Sequence, residues 1–83
     1  MQKIRPDLNI GNNIRNLRLK NKMTQDDVVA KMQLLNISIT RSTYAKIEAN
    51  LLNIKVSELV ALQQIFDCDY NDFFQNLSLL SNE

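Results

Sequence analysis

Residues 24–48, TQDDVVAKMQLLNISITRSTYAKIE, constrain the fold more than any other stretch because they hold two helix starts. Thr24 precedes Gln25-Asp26-Asp27 and then an apolar run. A Ser or Thr followed three residues on by an acid is an N-cap signature. The hydroxyl takes an orphan backbone N–H, and the acid sits in the positive first turn. Thr40, before Arg41-Ser42-Thr43, can cap a second helix in the same way. Between them Asn36-Ile37-Ser38-Ile39 breaks the helical period with β-branched and cap-forming residues. The stretch predicts helix, turn, helix.

At 100° per residue the second of these helices has a legible wheel. Thr40, Tyr44, Ile47 and Leu51 share one face; Ser42, Ala45, Lys46 and Ala49 share the opposite one, with Arg41 on its flank. An outward face made of a hydroxyl, a cation and methyl-sized side chains can lie close against a partner. It is equally the outer face of an ordinary amphipathic helix, and the wheel leaves both readings open.

TQDDVVAKM followed by ITRSTYAKIE resembles the helix-turn-helix of the phage repressor/Cro-like family of bacterial DNA-binding regulators. That family carries Thr-Gln-acidic-acidic-aliphatic and then Ser/Thr-Arg-Ser-Thr-apolar-x-Lys-Ile-Glu, and the likeness runs from about Ile10 to Phe74. One departure stands out: the family has a short Gly-containing turn where this chain has the longer, Gly-free MQLLNISI. The first helix of the pair is therefore expected to run to about Asn36.

The resemblance implies an all-α, five-helix bundle of the lambda-repressor-like type, with the helix-turn-helix at helices 2 and 3. It implies that Arg41, Ser42 and Lys46 meet DNA bases and that Gln25, Thr43, Asn53 and Lys55 meet phosphates. Gln25 also braces the recognition helix in the family. Arg18 and Glu48 would form a structural ion pair, consistent with their position beside the apolar stripes of helices 1 and 3, where a charge needs a partner.

Composition agrees with a small helical domain. The 83 residues hold one Gly, one Pro and no Trp. A lone Cys68 excludes an intrachain disulfide, and with no His a metal site is not expected. Nor is a cofactor, a catalytic centre or an enzymatic function, since there are no paired carboxylates and no Gly-rich phosphate loop. No signal peptide and no long apolar run are seen, so no membrane association and a cytoplasmic location are expected. The net charge of +1 conceals a division: residues 1–55 hold all ten Lys and Arg with four acids, net +6, whereas residues 56–83 hold five acids and no base. A basic end of this kind is the footprint expected for phosphate contact.

In chain order, residues 1–9 read as an arm in which Lys3 and Arg5 could touch DNA or simply be solvated, with Asn9 as a cap. Residues 10–76 form the domain and 77–83 a tail. Helix 1 is expected over Ile10 to Asn21, helix 2 from Thr24 with Val28, Met32 and Leu35 buried, and helix 3 over Arg41 to Ala49 with Asn50 as a left-handed cap. Helix 4 spans Val56 to Phe66 with Val56, Leu59, Leu62 and Phe66 aligned. A short helix 5 runs from Tyr70 to about Phe74, its start framed by Asp69 and Asp72, with Phe73 and Phe74 closing the core. Leu77, Leu79 and Leu80 either pack on the domain or form a dimer seam. Two functions fit: a sequence-specific transcriptional regulator binding double-stranded DNA as a homodimer, or a protein-interaction module, such as an antitoxin or accessory subunit, built on the same bundle.

Overall fold

The structure, a computed structural model, describes residues 9–77 and the backbone of residues 3–4. Four α-helices lie among the described residues: α1 (Gly11–Lys20), α2 (Gln25–Leu34), α3 (Arg41–Glu48) and α4 (Val56–Phe66). The expected fifth helix is instead a single 3₁₀ turn, Tyr70–Phe74. Five residues headed by Asp69, whose backbone N–H donates to Asp72 Oδ2, start a helix that cannot propagate, because helix growth offsets its nucleation only over a longer run. Lys3–Ile4 (β1) pairs antiparallel with Ile54–Lys55 (β2), Lys3 opposite Lys55. The backbone of Lys3 and Ile4 is thus laid beside the segment entering α4. Arg5, Leu79 and Leu80 fall outside the described residues.

Both threonine caps are made. Thr24 Oγ1 accepts from Asp27 N at 3.0 Å while Asp27 Oδ2 accepts from Thr24 N at 2.9 Å, a reciprocal capping box. Thr40 Oγ1 accepts from Thr43 N at 3.2 Å. Asn9 Oδ1 likewise takes the Asn12 N–H at 3.2 Å at the head of α1.

The helix ends explain how a chain with one glycine turns so often. Lys22, Asn36 and Asn50 lie at φ 58°, 64° and 61°, in the left-handed region usually given to Gly. Each follows a helix closed by a paired motif. After α2, Asn36 N donates to Gln33 O and Ile37 N to Met32 O, both at 3.0 Å. After α3, Asn50 N donates to Ile47 O at 3.0 Å and Leu51 N to Lys46 O at 2.8 Å. Asn tolerates this conformation best among non-glycine residues, so Asn36 does the work of the missing turn glycine. Accordingly α2 stops at Leu34, short of the expected Asn36. Leu35, expected in the core, is exposed, because the left-handed residue after it turns the chain away. Leu51 leaves the apolar face of α3 for the same reason and is 73% exposed.

The core joins Ile10 and Ile14 of the first segment, Val28, Val29 and Met32 of α2, Ile39 of the turn, Tyr44 and Ile47 of α3, Ile54, Leu59, Ala61, Leu62 and Phe66 around α4, and Phe73. Phe73 is fully buried, but Phe74, expected beside it, faces solvent, since adjacent residues on a turn cannot both point inward. Val56 is also more open than its wheel position suggested, being the first residue of α4. Leu77 packs on the core edge. Asn13 Nδ2 ties α1 to the 3₁₀ turn, donating to Phe73 O at 2.9 Å and Gln75 O at 2.8 Å.

Candidate nucleic-acid interface

The inner side of α3 is anchored by charge as well as by apolar packing. Arg18 of α1 donates through Nε to Glu48 Oε2 at 2.7 Å and through a second guanidinium nitrogen to Oε1 at 3.2 Å. The remaining nitrogen donates to Met23 O at 2.9 Å, so all three guanidinium nitrogens are engaged. Both residues are buried. A two-point arginine–carboxylate contact fixes orientation as well as distance, and this one locks α3 against α1.

Gln25 and Tyr44 complete the knot. Gln25 Nε2 donates to Glu48 Oε1 at 3.1 Å. Burial, and next the Glu48 carboxylate, push the Tyr44 phenol far above its usual range, so it stays neutral. Burial alone would raise the Glu48 carboxyl, but its donors Arg18 and Gln25, with the Tyr44 hydroxyl close by, outweigh that and hold it below the usual carboxylate range.

The single glycine belongs to the same contact. A Cβ on Gly11 would collide with the backbone carbonyls of Glu48 and Ile47. The head of α1 rests directly on the tail of α3, and only a residue without a side chain allows that approach. Sequence reasoning passed over Gly11; a lone Gly inside a helix-periodic run was the available signal.

The outer side is different. Arg41, Ser42 and Lys46 are exposed on one side of α3. Arg41 has no acid beside it on its own helix, but Asp26, on the first turn of α2, approaches its Nε to 3.6 Å; the two side chains are 65% and 73% exposed. The wheel of α3 could not reveal a partner carried by another helix.

The four residues expected at phosphates divide into two places. Thr43, Asn53 and Lys55 line one shallow hollow with Ser38, Leu52 and Glu58, between the first turn of α3 and the head of α4. Its floor is fixed by Glu58 Oε1, which accepts from Lys55 N at 2.8 Å and is buried. The Thr43 hydroxyl accepts from the Thr40 hydroxyl at 3.1 Å, leaving its own proton to donate. Gln25 is elsewhere, at the head of α2, half-buried and turned toward Glu48. Its amide NH₂ retains a second hydrogen for another acceptor.

Neither a curated protein nor a solved structure matches the chain significantly. A family model does: the helix-turn-helix model HTH_3 covers residues 14–73, from the core residue Ile14 to Phe73. That span takes in the α2–turn–α3 unit, both threonine caps and the Arg18–Glu48 lock. No helix among the described residues is long and apolar enough to cross a membrane. By this match over most of its length, the chain belongs to the Cro/C1-like (XRE-type) helix-turn-helix family of DNA-binding domains.

Proposed function

We propose that this protein is a cytoplasmic, sequence-specific transcriptional regulator that places α3 in the major groove of double-stranded DNA. The observation that carries the reading is the two-sidedness of α3: Tyr44, Ile47 and Glu48 are buried, while Arg41, Ser42 and Lys46 stand exposed. A reading helix needs both a rigid back and a side-chain front. Arg41, on the first turn, reads a base edge, guanine being the commonest Arg target. Ser42 and Lys46 make further base contacts. Thr43, Asn53 and Lys55 form one phosphate seat, and Gln25 contributes a second at the head of α2, where the macrodipole favours an anion. Phosphate contacts set register and the groove-facing side chains select sequence.

One short helix supplies few base contacts, so the protein acts as a homodimer on half-sites about one helical turn apart. Leu79 and Leu80 are the proposed seam, since Leu77 already packs on the core. Selection from random duplex DNA tests the function directly, and a consensus with two related half-sites is the expected result. Sedimentation of a chain truncated after Leu77 tests the seam. Undiminished dimerisation would place it elsewhere.

A second reading rests on a specific surface. Leu34 is 83% exposed, and with Leu35 and Ile65 it lines a shallow apolar hollow between α2 and α4. An antitoxin or accessory subunit would use such a surface to hold a protein. DNA-column retention that falls steeply with salt supports the regulator; salt-insensitive behaviour with a co-purifying protein supports the module.

A further inference from the structure

We infer that Asp26 is a specificity-determining positioning residue: it holds Arg41 at the junction of α2 and α3 and penalises DNA on which Arg41 finds no base within reach of that position. The inference rests on α3 being the reading helix and deepens that reading.

The two acids that open α2 are not equivalent. Asp27 is committed to the fold, closing the capping box with Thr24. Asp26 has no part in that box and is 73% exposed at its side chain. Its ion pair crosses to the first turn of α3 and ends on Arg41 Nε, the side chain placed to read a base. A carboxylate at the head of a helix that crosses the DNA backbone is also a like charge set toward phosphate. It therefore opposes binding unless something is gained in return.

That return is unequal between DNAs. Only Nε of Arg41 faces Asp26, so the terminal guanidinium nitrogens can meet a base while the pair at 3.6 Å is kept. A guanine edge offers those nitrogens two acceptors in a fixed plane, so on a selected site Asp26 stays neutralised by Arg41. A random site offers mainly phosphate, for which Arg41 must be withdrawn from Asp26 while Asp26 still repels the backbone. Asp26 thus acts through Arg41: it weakens random binding more than selected binding and keeps the guanidinium near the groove rather than on the backbone.

The test is Asp26→Asn, which keeps shape and removes charge. Binding is measured by fluorescence anisotropy on a selected duplex and on random duplex, for the parent, Asp26→Asn, Arg41→Ala and the double variant. Asp26→Asn is expected to tighten random DNA roughly three- to tenfold and the selected duplex by less than about twofold. The ratio between them falls, and preference at the base pair read by Arg41 broadens. Thermal melting stays at the parent value. In the Arg41→Ala background the same change tightens both DNAs equally. Equal tightening in the presence of Arg41 would reduce Asp26 to a general repulsive charge and overturn the inference, as would no change on either duplex. A parent that does not distinguish selected from random DNA would instead overturn the regulator reading on which this one stands.

Discussion

Two arginine–carboxylate pairs flank the same helix, and they do opposite things. Arg18–Glu48 closes at 2.7 Å with side chains only 10% and 4% exposed. Arg41–Asp26 stands at 3.6 Å in solvent. The chemistry of the groups is shared, so the difference lies in the surroundings. In the buried pair neither charge can recover its lost water, so each depends on the other, and removing one strands its partner. In the exposed pair water replaces either partner, so the contact is nearly free to exchange. The first is therefore a lock and the second a side chain available to a ligand.

The sharpest way to break this contrast is to cut both pairs. Arg18→Ala is expected to destabilise the fold by about 3 kcal/mol, since it leaves the Glu48 carboxylate buried and under-bonded. Urea denaturation checks it. In a double-mutant cycle with Glu48→Ala the losses combine to less than their sum; strict additivity would mean the residues are not coupled. Gly11→Ala comes next, at roughly 2 kcal/mol, because the new methyl meets backbone carbonyls that cannot rotate aside. If it melts like the parent, α1 does not rest on α3 as described.

Arg41→Ala is expected to behave in the reverse sense. Stability stays within about 0.5 kcal/mol of the parent, as for other exposed positions. Affinity for a selected site falls by about 1–3 kcal/mol, with a much smaller loss on random DNA. A selected site bound as tightly as before would show that α3 is not the reader and would favour the protein-interaction module. Lys46→Ala sharpens the assignment: as a base contact it weakens the selected site more than random DNA, whereas equal weakening with a drop of about one in the slope of log affinity against log salt would make it a phosphate contact.

The smallest expected effect is on acid stability. Glu48 is held below its usual range by its donors, and Asp27 by the Thr24 backbone N–H and hydroxyl. In the carboxylate range the unfolded chain binds more protons than the folded one, so stability rises with pH there. The contribution of both groups is present above the ordinary carboxylate pKa and fades as pH falls through their lower folded values. Glu48→Gln is expected to flatten that acid limb while lowering stability at neutral pH. An unchanged limb in a pH-resolved denaturation series would remove Glu48 as a source of it.

Features that depend on a few neighbouring residues were legible in the chain itself. The starts of α2 and α3 followed from Thr24 and Thr40, because a cap is a contact over three residues. The buried stripes Val28–Met32 and Tyr44–Ile47 followed from helical period. The charge of Arg18 and Glu48 beside apolar stripes showed that each needed a partner, and the family resemblance named it.

Packing decided the rest. Whether α2 ends at Leu34 or runs to Asn36 is nearly balanced locally. It is settled by a left-handed Asn36 that brings Ile37 and Ile39 back onto the core. Leu35, Leu51 and Phe74 look apolar enough for the interior, yet the turns beside them aim them outward. Gly11 owes its role to residues more than 30 positions distant, and both it and Asp26 answer to another helix. A wheel drawn for one helix sees only its own residues. Which Arg–acid pair became a lock and which stayed open was set by how much water the assembled helices left around each, a quantity that exists only once the chain has folded.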